Sequence, residues 1–286
     1  MRLPFAARVV VAAMLIALVW PIWPASTQVA PGGAGSTPGF NRADPPPGAE
    51  ALAVQWVQLA VPGLGVVLAA VARPGGAGPF PAVVLLHGTH GFAHEYVRLA
   101  QDLAGGGVLA VAACWFRGSA GSGARFVTSI GCPEAPPMGS PSGPEAMRTL
   151  DGLVQAVRAL PGVRPDRIGL MGHSRGAAPI LSYVLQPGNA RAAVLNSAGY
   201  PVALSPEVTA PILILHGTAD SPSDGGVAVT NIQMARDFEA KLRASGKPVE
   251  AVYYDGGRHN DLFTSPTQYR DEVSRILAFL LRHLGD

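Results

Sequence analysis

The stretch Asp166-Arg167-Ile168-Gly169-Leu170-Met171-Gly172-His173-Ser174-Arg175-Gly176 decides how the rest of the chain is read. Residues 166–171 have the apolar character of a strand buried in a sheet, and residues 177–185 can continue as a helix. Ser174 therefore falls on a strand-to-helix turn. Such a turn is tight, and Gly172 and Gly176 have a steric reason to flank it, because a side chain at either would crowd neighbouring backbone. The serine hydroxyl is then held out toward solvent above a helix N-terminus, the arrangement called a nucleophile elbow. Glycines beside a serine also occur in ordinary loops. The reading turns on whether a base and an acid stand where such a serine needs them.

A serine hydroxyl is a poor nucleophile until a base takes its proton, and the usual base is a histidine oriented by a carboxylate. The expected chain order is serine, acid, histidine. The run Pro211-Ile212-Leu213-Ile214-Leu215 reads as a buried strand and leads into His216-Gly217-Thr218-Ala219-Asp220, which puts Asp220 just past a strand end. Residues 249–254 read as another strand and lead into Asp255-Gly256-Gly257-Arg258-His259-Asn260, which puts His259 past a second one. Asp224 and Asp255 are rival acids; the first lies farther from its strand, the second on the wrong side of the glycine turn. Alone, His259 reads as a surface histidine in a glycine loop. Three residues in order, each at a strand end, argue for Ser174, Asp220 and His259 as one catalytic set.

Acyl transfer also needs donors for the oxyanion. The backbone N–H of Arg175 opens the elbow helix, and Thr89 follows the buried run 81–86 in His87-Gly88-Thr89-His90-Gly91, so these two N–H groups are the expected pair. Both are backbone donors, so side-chain identity at 89 and 175 is expected to matter little. His87, His90 and His94 could suggest a metal site, but no carboxylate or cysteine completes the set, so they read as local packing. Neither metal nor cofactor is expected.

Around these points the chain alternates between strands and helices. Residues 51–60 and 64–73, joined by Val61-Pro62-Gly63, read as a hairpin at the sheet edge. Further strands are expected at 81–86, 108–113, 166–171, 192–195, 211–215 and 249–254, with helices at 96–104, 145–160, 177–185, 227–245 and 268–284. That alternation predicts an α/β fold, a mostly parallel central sheet with helices on both faces. Ligand sites in such sheets lie beyond the C-terminal strand ends. Residues 115–144, rich in Gly, Ser and Pro, are too long for a simple connection and form a candidate substrate-facing loop, in which Trp115, Phe116 and Met138 could line a pocket.

At 286 residues the chain suits one large domain. Residues 1–30 have the form of an export signal: Arg2 and Arg8 precede an apolar run at 9–20, followed by Pro21, Pro24, Ala25 and Ser26. The run is short for a membrane span, which favours cleavage, and a retained anchor is the alternative. Residues 31–49 read as a Pro/Gly-rich linker and residues 50–286 as the catalytic domain. The 21 Lys and Arg, less Arg2 and Arg8, balance the 19 Asp and Glu, and no nucleic-acid partner is indicated. Any membrane contact would come only through the N-terminal segment. Cys114 and Cys132 have two readings that stand side by side. They either bridge a loop, worth ~3 kcal/mol in the chain-entropy model, or remain a buried strand thiol and a loop thiol.

The fragments VVLLHGTHG, GLMGHSRGA, PILILHGTAD and VEAVYYDGGRHN occur in that order, and with them the region from about Val83 to the end resembles the α/β-hydrolases, most closely the dienelactone hydrolase-like branch. The resemblance implies an α/β-hydrolase fold without a large lid domain, hydrolysis of a small-molecule ester or lactone, and no cofactor. Two departures stand out. Members proper use cysteine where this chain has Ser174, which points to a general serine esterase, and an export signal is unlike the cytoplasmic members. Arg117 lies roughly where the lactone enzymes hold an arginine for a substrate carboxylate; a solvated loop arginine is the preferred reading. A prolyl-oligopeptidase-like peptidase shares the catalytic half of this pattern, and a non-catalytic binding domain could share the fold.

Overall fold

The computed structural model describes residues 40–62, 65–118 and 125–285. The expected export signal, residues 1–30, lies outside them. Nine strands form one sheet: β1 Phe40–Arg42, β2 Gln55–Val61, β3 Gly65–Ala72, β4 Phe80–Leu86, β5 Leu109–Ala113, β6 Val163–His173, β7 Ala192–Asn196, β8 Ile212–Gly217 and β9 Val249–Tyr254. Their order is β1-β2-β3-β5-β4-β6-β7-β8-β9. The first three strands pair antiparallel and β3 meets β5 antiparallel; from β5 through β4 to β9 every pairing is parallel. The mostly parallel sheet expected from the alternation is therefore present.

Side chains of each central strand alternate between two cores, as a period of two requires. Val84 and Leu86 of β4 join one apolar cluster, with helices α2 Pro144–Arg158, α3 Ala177–Tyr183 and α4 Ile232–Ala244. Val83 and Leu85 join the other, with α1 His94–Gly105 and the closing helix α6 Pro266–Leu284. A short helix, α5 Asp261–Thr264, precedes α6. Full burial of each such side chain is worth roughly 1.5–3 kcal/mol, so the two clusters hold the sheet between its helices.

Two boundaries differ from expectation for physical reasons. The linker was expected to run to residue 49, but Phe40–Arg42 pairs antiparallel with Val57–Leu59, and Ala49 is fully buried. The hairpin β2–β3 is therefore not the sheet edge; β1 covers it. A helix was expected from residue 227, but α4 starts at Ile232, because the Asn231 side chain accepts from Met234 N–H at 3.0 Å and caps it there.

The described part of 115–144, residues 115–118 and 125–144, is tied down more than its composition suggested. Ile130 N–H donates to the Phe92 carbonyl and His94 N–H to the Thr128 carbonyl, both at 2.9 Å. Cys114, at the end of β5, is disulfide-bonded to Cys132, with Cα atoms 6.5 Å apart, so the bridged reading holds. The loop it closes spans 18 positions, for which chain entropy gives a stabilisation of about 3 kcal/mol. Replacing both cysteines by serine should lower the free energy of unfolding by about that amount, measured by urea denaturation at neutral pH.

Candidate active site

Ser174 directly follows β6 in a left-handed conformation, φ 53°, and begins a 3-10 turn over Ser174–Gly176 that runs into α3. A non-glycine residue held there is strained. The surroundings leave it no alternative. A Cβ at Gly176 would overlap the backbone carbonyl of Leu86, and one at Gly172 would overlap the carbonyl of Gly176. The strand end, the turn and β4 are thus in backbone contact, and the Ser174 side chain is left partly exposed.

The loops after β8 and β9 bring the partners. They are bonded to each other: Ala219 N–H donates to the Gly257 carbonyl and Thr218 N–H to the Tyr254 carbonyl, both at 2.9 Å. Gly217 must be glycine, since a Cβ there would overlap the Gly257 carbonyl. Ser174 Oγ lies 2.8 Å from His259 Nε2, and His259 Nδ1 lies 2.8 Å from Asp220 Oδ2. A carboxylate cannot donate, so Nδ1 carries the hydrogen; Nε2 then accepts from the serine hydroxyl. Both His259 and Asp220 are buried. Asp255, the rival acid, is exposed and turned to Thr218 Oγ1 at 3.4 Å.

Asp220 has further donors that sequence reading did not supply. Thr230 Oγ1 donates to its Oδ1 at 3.1 Å, and His216 Nε2 stands 3.4 Å from its Oδ2 and 2.5 Å from the Thr230 carbonyl. Two acceptors on one side fix the hydrogen of His216 on Nε2. Burial lowers the pKa of His216, which keeps it a neutral donor.

A second polar chain runs beneath the elbow. His173 Nδ1 lies 2.7 Å from Asn196 Oδ1, Asn196 Nδ2 donates to Glu272 Oε2 at 2.6 Å, and Gln268 Nε2 donates to Glu272 Oε1 at 2.7 Å. The other nitrogen of His173 lies 3.2 Å from the side chain of Asn260, the residue after His259. Glu272 is fully buried in α6, and burial raises its pKa to about 8. His173 is pushed down to about 4, chiefly by burial and then by His259.

Of the expected oxyanion donors, the Arg175 N–H lies in the first turn after Ser174, where no carbonyl within the helix reaches it. Thr89 follows Gly88, whose Cβ, were there one, would lie 3.3 Å from Ser174 Cβ. Arg175 also uses its side chain, contrary to expectation: the guanidinium donates to the Gly139 carbonyl and lies 5.5 Å from the centre of the Phe116 ring.

The expected substrate contacts divide. Trp115 and Phe116 are buried, their rings edge to face at 4.5 Å, and the Trp115 indole N–H donates to the His87 carbonyl at 2.9 Å. They brace the loop after β4. Arg117 is exposed and, with His90, Phe92, Ile130, Gly131, Cys132 and others, lines an open and largely apolar cleft of about 310 Å³. Met138 is 45% exposed.

Residues 67–275 match the model of the dienelactone hydrolase family. The chain belongs to that family. Its class is that of a carboxylic ester hydrolase on the α/β-hydrolase fold. Among solved structures it is similar to a dienelactone hydrolase-type protein from Klebsiella pneumoniae, at 22% identity and TM-score 0.63, covering 79% of this chain and 97% of that one. A thermophilic esterase from Thermogutta terrifontis, solved with propionate bound, has 17% identity and TM-score 0.59, covering 79% and 93%. The Pyrococcus horikoshii acylaminoacyl peptidase has 18% identity and TM-score 0.59, covering 77% of this chain but 40% of that one. At these identities the likeness is one of fold. Among proteins of curated function, none matches the sequence.

The buried groups give the family member's stability a definite pH dependence. His173 and His87 are both lowered to about 4, so the stability they contribute is present above about pH 6.5 and lost as pH falls toward 4. Glu272 is raised to about 8, so its contribution is present below about pH 4.5 and lost as pH rises toward 8. Glu272→Gln should therefore remove the loss of stability that Glu272 causes between about pH 4.5 and 8 and leave the profile below about pH 4.5 unchanged, read from melting temperatures from about pH 4 to 8.

Proposed function

We propose that this dienelactone hydrolase family member is an exported serine esterase acting through an acyl-enzyme. Ser174 Oγ attacks the ester carbonyl, His259 takes its proton and passes it to the leaving alcohol, and Asp220 holds the imidazole with Nδ1–H inward. The N–H groups of Arg175 and Thr89 receive the tetrahedral oxyanion. Water then repeats the sequence on the acyl-enzyme. The observation that carries this reading is the unbroken line from Ser174 Oγ through His259 to Asp220, with both links at 2.8 Å. The Cys114–Cys132 disulfide supports export, since such bonds persist in oxidising compartments.

The apolar cleft is where the ester's apolar group lies. His90 lines it, and the point where a Gly88 Cβ would sit is 3.2 Å from His90 Cε1 and 3.3 Å from Ser174 Cβ, so one wall of the cleft stands near Ser174. A space of about 310 Å³ takes a short or medium acyl chain or one aromatic ring.

A fluorophosphonate should label Ser174 in the wild-type protein and leave Ser174→Ala unlabelled, as read by peptide mass spectrometry, while the substitution lowers kcat on p-nitrophenyl acetate by roughly 10⁶-fold. Wild-type protein that neither labels nor turns over esters would return the non-catalytic reading; turnover of amide in preference to ester substrates would return the peptidase one. Gly131 faces open space, so Gly131→Phe can fill the cleft without backbone strain. It should lower kcat/KM for p-nitrophenyl hexanoate at least about 10-fold and leave acetate within about 2-fold. Equal effects on both esters would place the apolar group elsewhere.

A further inference from the structure

Two peptide planes meet at Gly88, and side chains hold both of them. The first joins His87 to Gly88: its carbonyl accepts from Trp115 Nε1 at 2.9 Å, and its N–H donates to Tyr96 Oη at 2.8 Å. Both ends are occupied, so this plane cannot turn, and the Gly88 N–H is not available to a substrate. The second plane joins Gly88 to Thr89. Its carbonyl accepts from Gly91 N–H at 3.0 Å and lies 3.0 Å from His87 Nδ1. A carbonyl only accepts, so His87 carries its hydrogen on Nδ1 and donates.

A trans peptide is planar, with C=O and N–H pointing in opposite directions. Two donors gripping the Gly88 oxygen therefore point the Thr89 N–H away from them. A Cβ at Gly88 would lie 3.3 Å from Ser174 Cβ, which places this backbone beside the serine, and Thr89 comes directly after it. Among the described residues no acceptor is found for the Thr89 N–H.

We infer that His87, Trp115 and Tyr96 are positioning residues that aim the Thr89 N–H at the oxyanion by holding the two peptide planes on either side of Gly88. The inference rests on the esterase reading above. A cost in the structure supports it. His87 is 1% exposed, and its Nε2 has no partner among the described residues. The ring is enclosed by Phe92, Tyr96, Trp115 and Phe116, with centroids 4.5–6.1 Å away. An apolar residue would fill this space without burying an unpaired nitrogen. What the imidazole adds is the Nδ1–H on the Gly88 carbonyl. Burial lowers its pKa to about 4, so the ring stays neutral through the range of an ester assay.

The test compares wild type with His87→Leu, His87→Asn and Trp115→Phe on p-nitrophenyl acetate, with a trifluoromethyl ketone as transition-state analogue. Loss of an oxyanion donor costs about 10²–10³-fold in kcat. His87→Leu, which misaims one rather than removing it, should lower kcat by about 10–100-fold with KM within about 2-fold and the midpoint of the pH profile unchanged. Affinity for the ketone should fall by the same factor. His87→Asn, whose amide can donate from nearly the same place, should recover most of the loss. Should His87→Leu fail to fold, Trp115→Phe releases the neighbouring plane and should show the same split between kcat and KM on a smaller scale. An active wild type beside a folded His87→Leu with unchanged kcat, or with its loss in KM or in the pH midpoint, overturns the inference and spares the esterase reading. A wild type that neither labels nor turns over esters overturns both.

Discussion

The close approach of β6, the turn after it and β4 is the constraint from which the site follows. At Gly176 the backbone lies against the Leu86 carbonyl, and at Gly172 it lies against the Gly176 carbonyl, with no room for a Cβ at either. A chain that must turn in so little space takes Ser174 to φ 53°. That strain costs on the order of 1–3 kcal/mol, and only a well-packed surround can maintain it. The surround is the double core on either side of the sheet, with Val84 and Leu86 facing one way and Val83 and Leu85 the other. Core packing and the exposure of Ser174 are one feature seen at two scales.

Around that turn the imidazoles of His87, His173, His216 and His259 are all buried, and burial decides much of what each can do. His87 and His173 are held near pKa 4 and His216 is lowered, all chiefly by desolvation, so each presents one fixed N–H and no charge. His216 spends its hydrogen on the Thr230 carbonyl and Asp220, and His87 spends its own on the Gly88 carbonyl. His259 differs in having a carboxylate at 2.8 Å on one nitrogen and a serine hydroxyl at 2.8 Å on the other. In the proposed mechanism it is the ring that takes the serine proton.

Much of this was legible because the signals are local. A period of two, a glycine on each side of a serine, and a polar cluster after each apolar run all lie within a few residues, and they placed Ser174, Asp220 and His259 at strand ends. What the sequence hid depends on partners far along the chain. Phe40–Arg42 is three residues in a Pro- and Gly-rich stretch, and it becomes a strand only because Val57–Leu59 has a free edge. The link from His173 through Asn196 to Glu272 joins three elements that no spacing connects. One sign of it was readable: Glu272 shares a helical face with Ile276, Phe279 and Leu280, all buried, and a carboxyl at a core position implies a polar partner.

Arg175 shows why a backbone role does not free a side chain. Its N–H belongs to the turn that presents Ser174, while its guanidinium reaches over Phe116 to the Gly139 carbonyl in the long loop before α2. The same loop is fastened at Cys132 to the end of β5 and by Ile130 to Phe92. Ser174, Asp220 and His259 thus stand at strand ends fixed by the core, and the wall of the cleft stands on a loop fixed by a few long-range ties. The first set can change little without disturbing the sheet. The second can vary in residue and volume while its ties remain, which lets members of one family keep a mechanism and differ in the ester they accept.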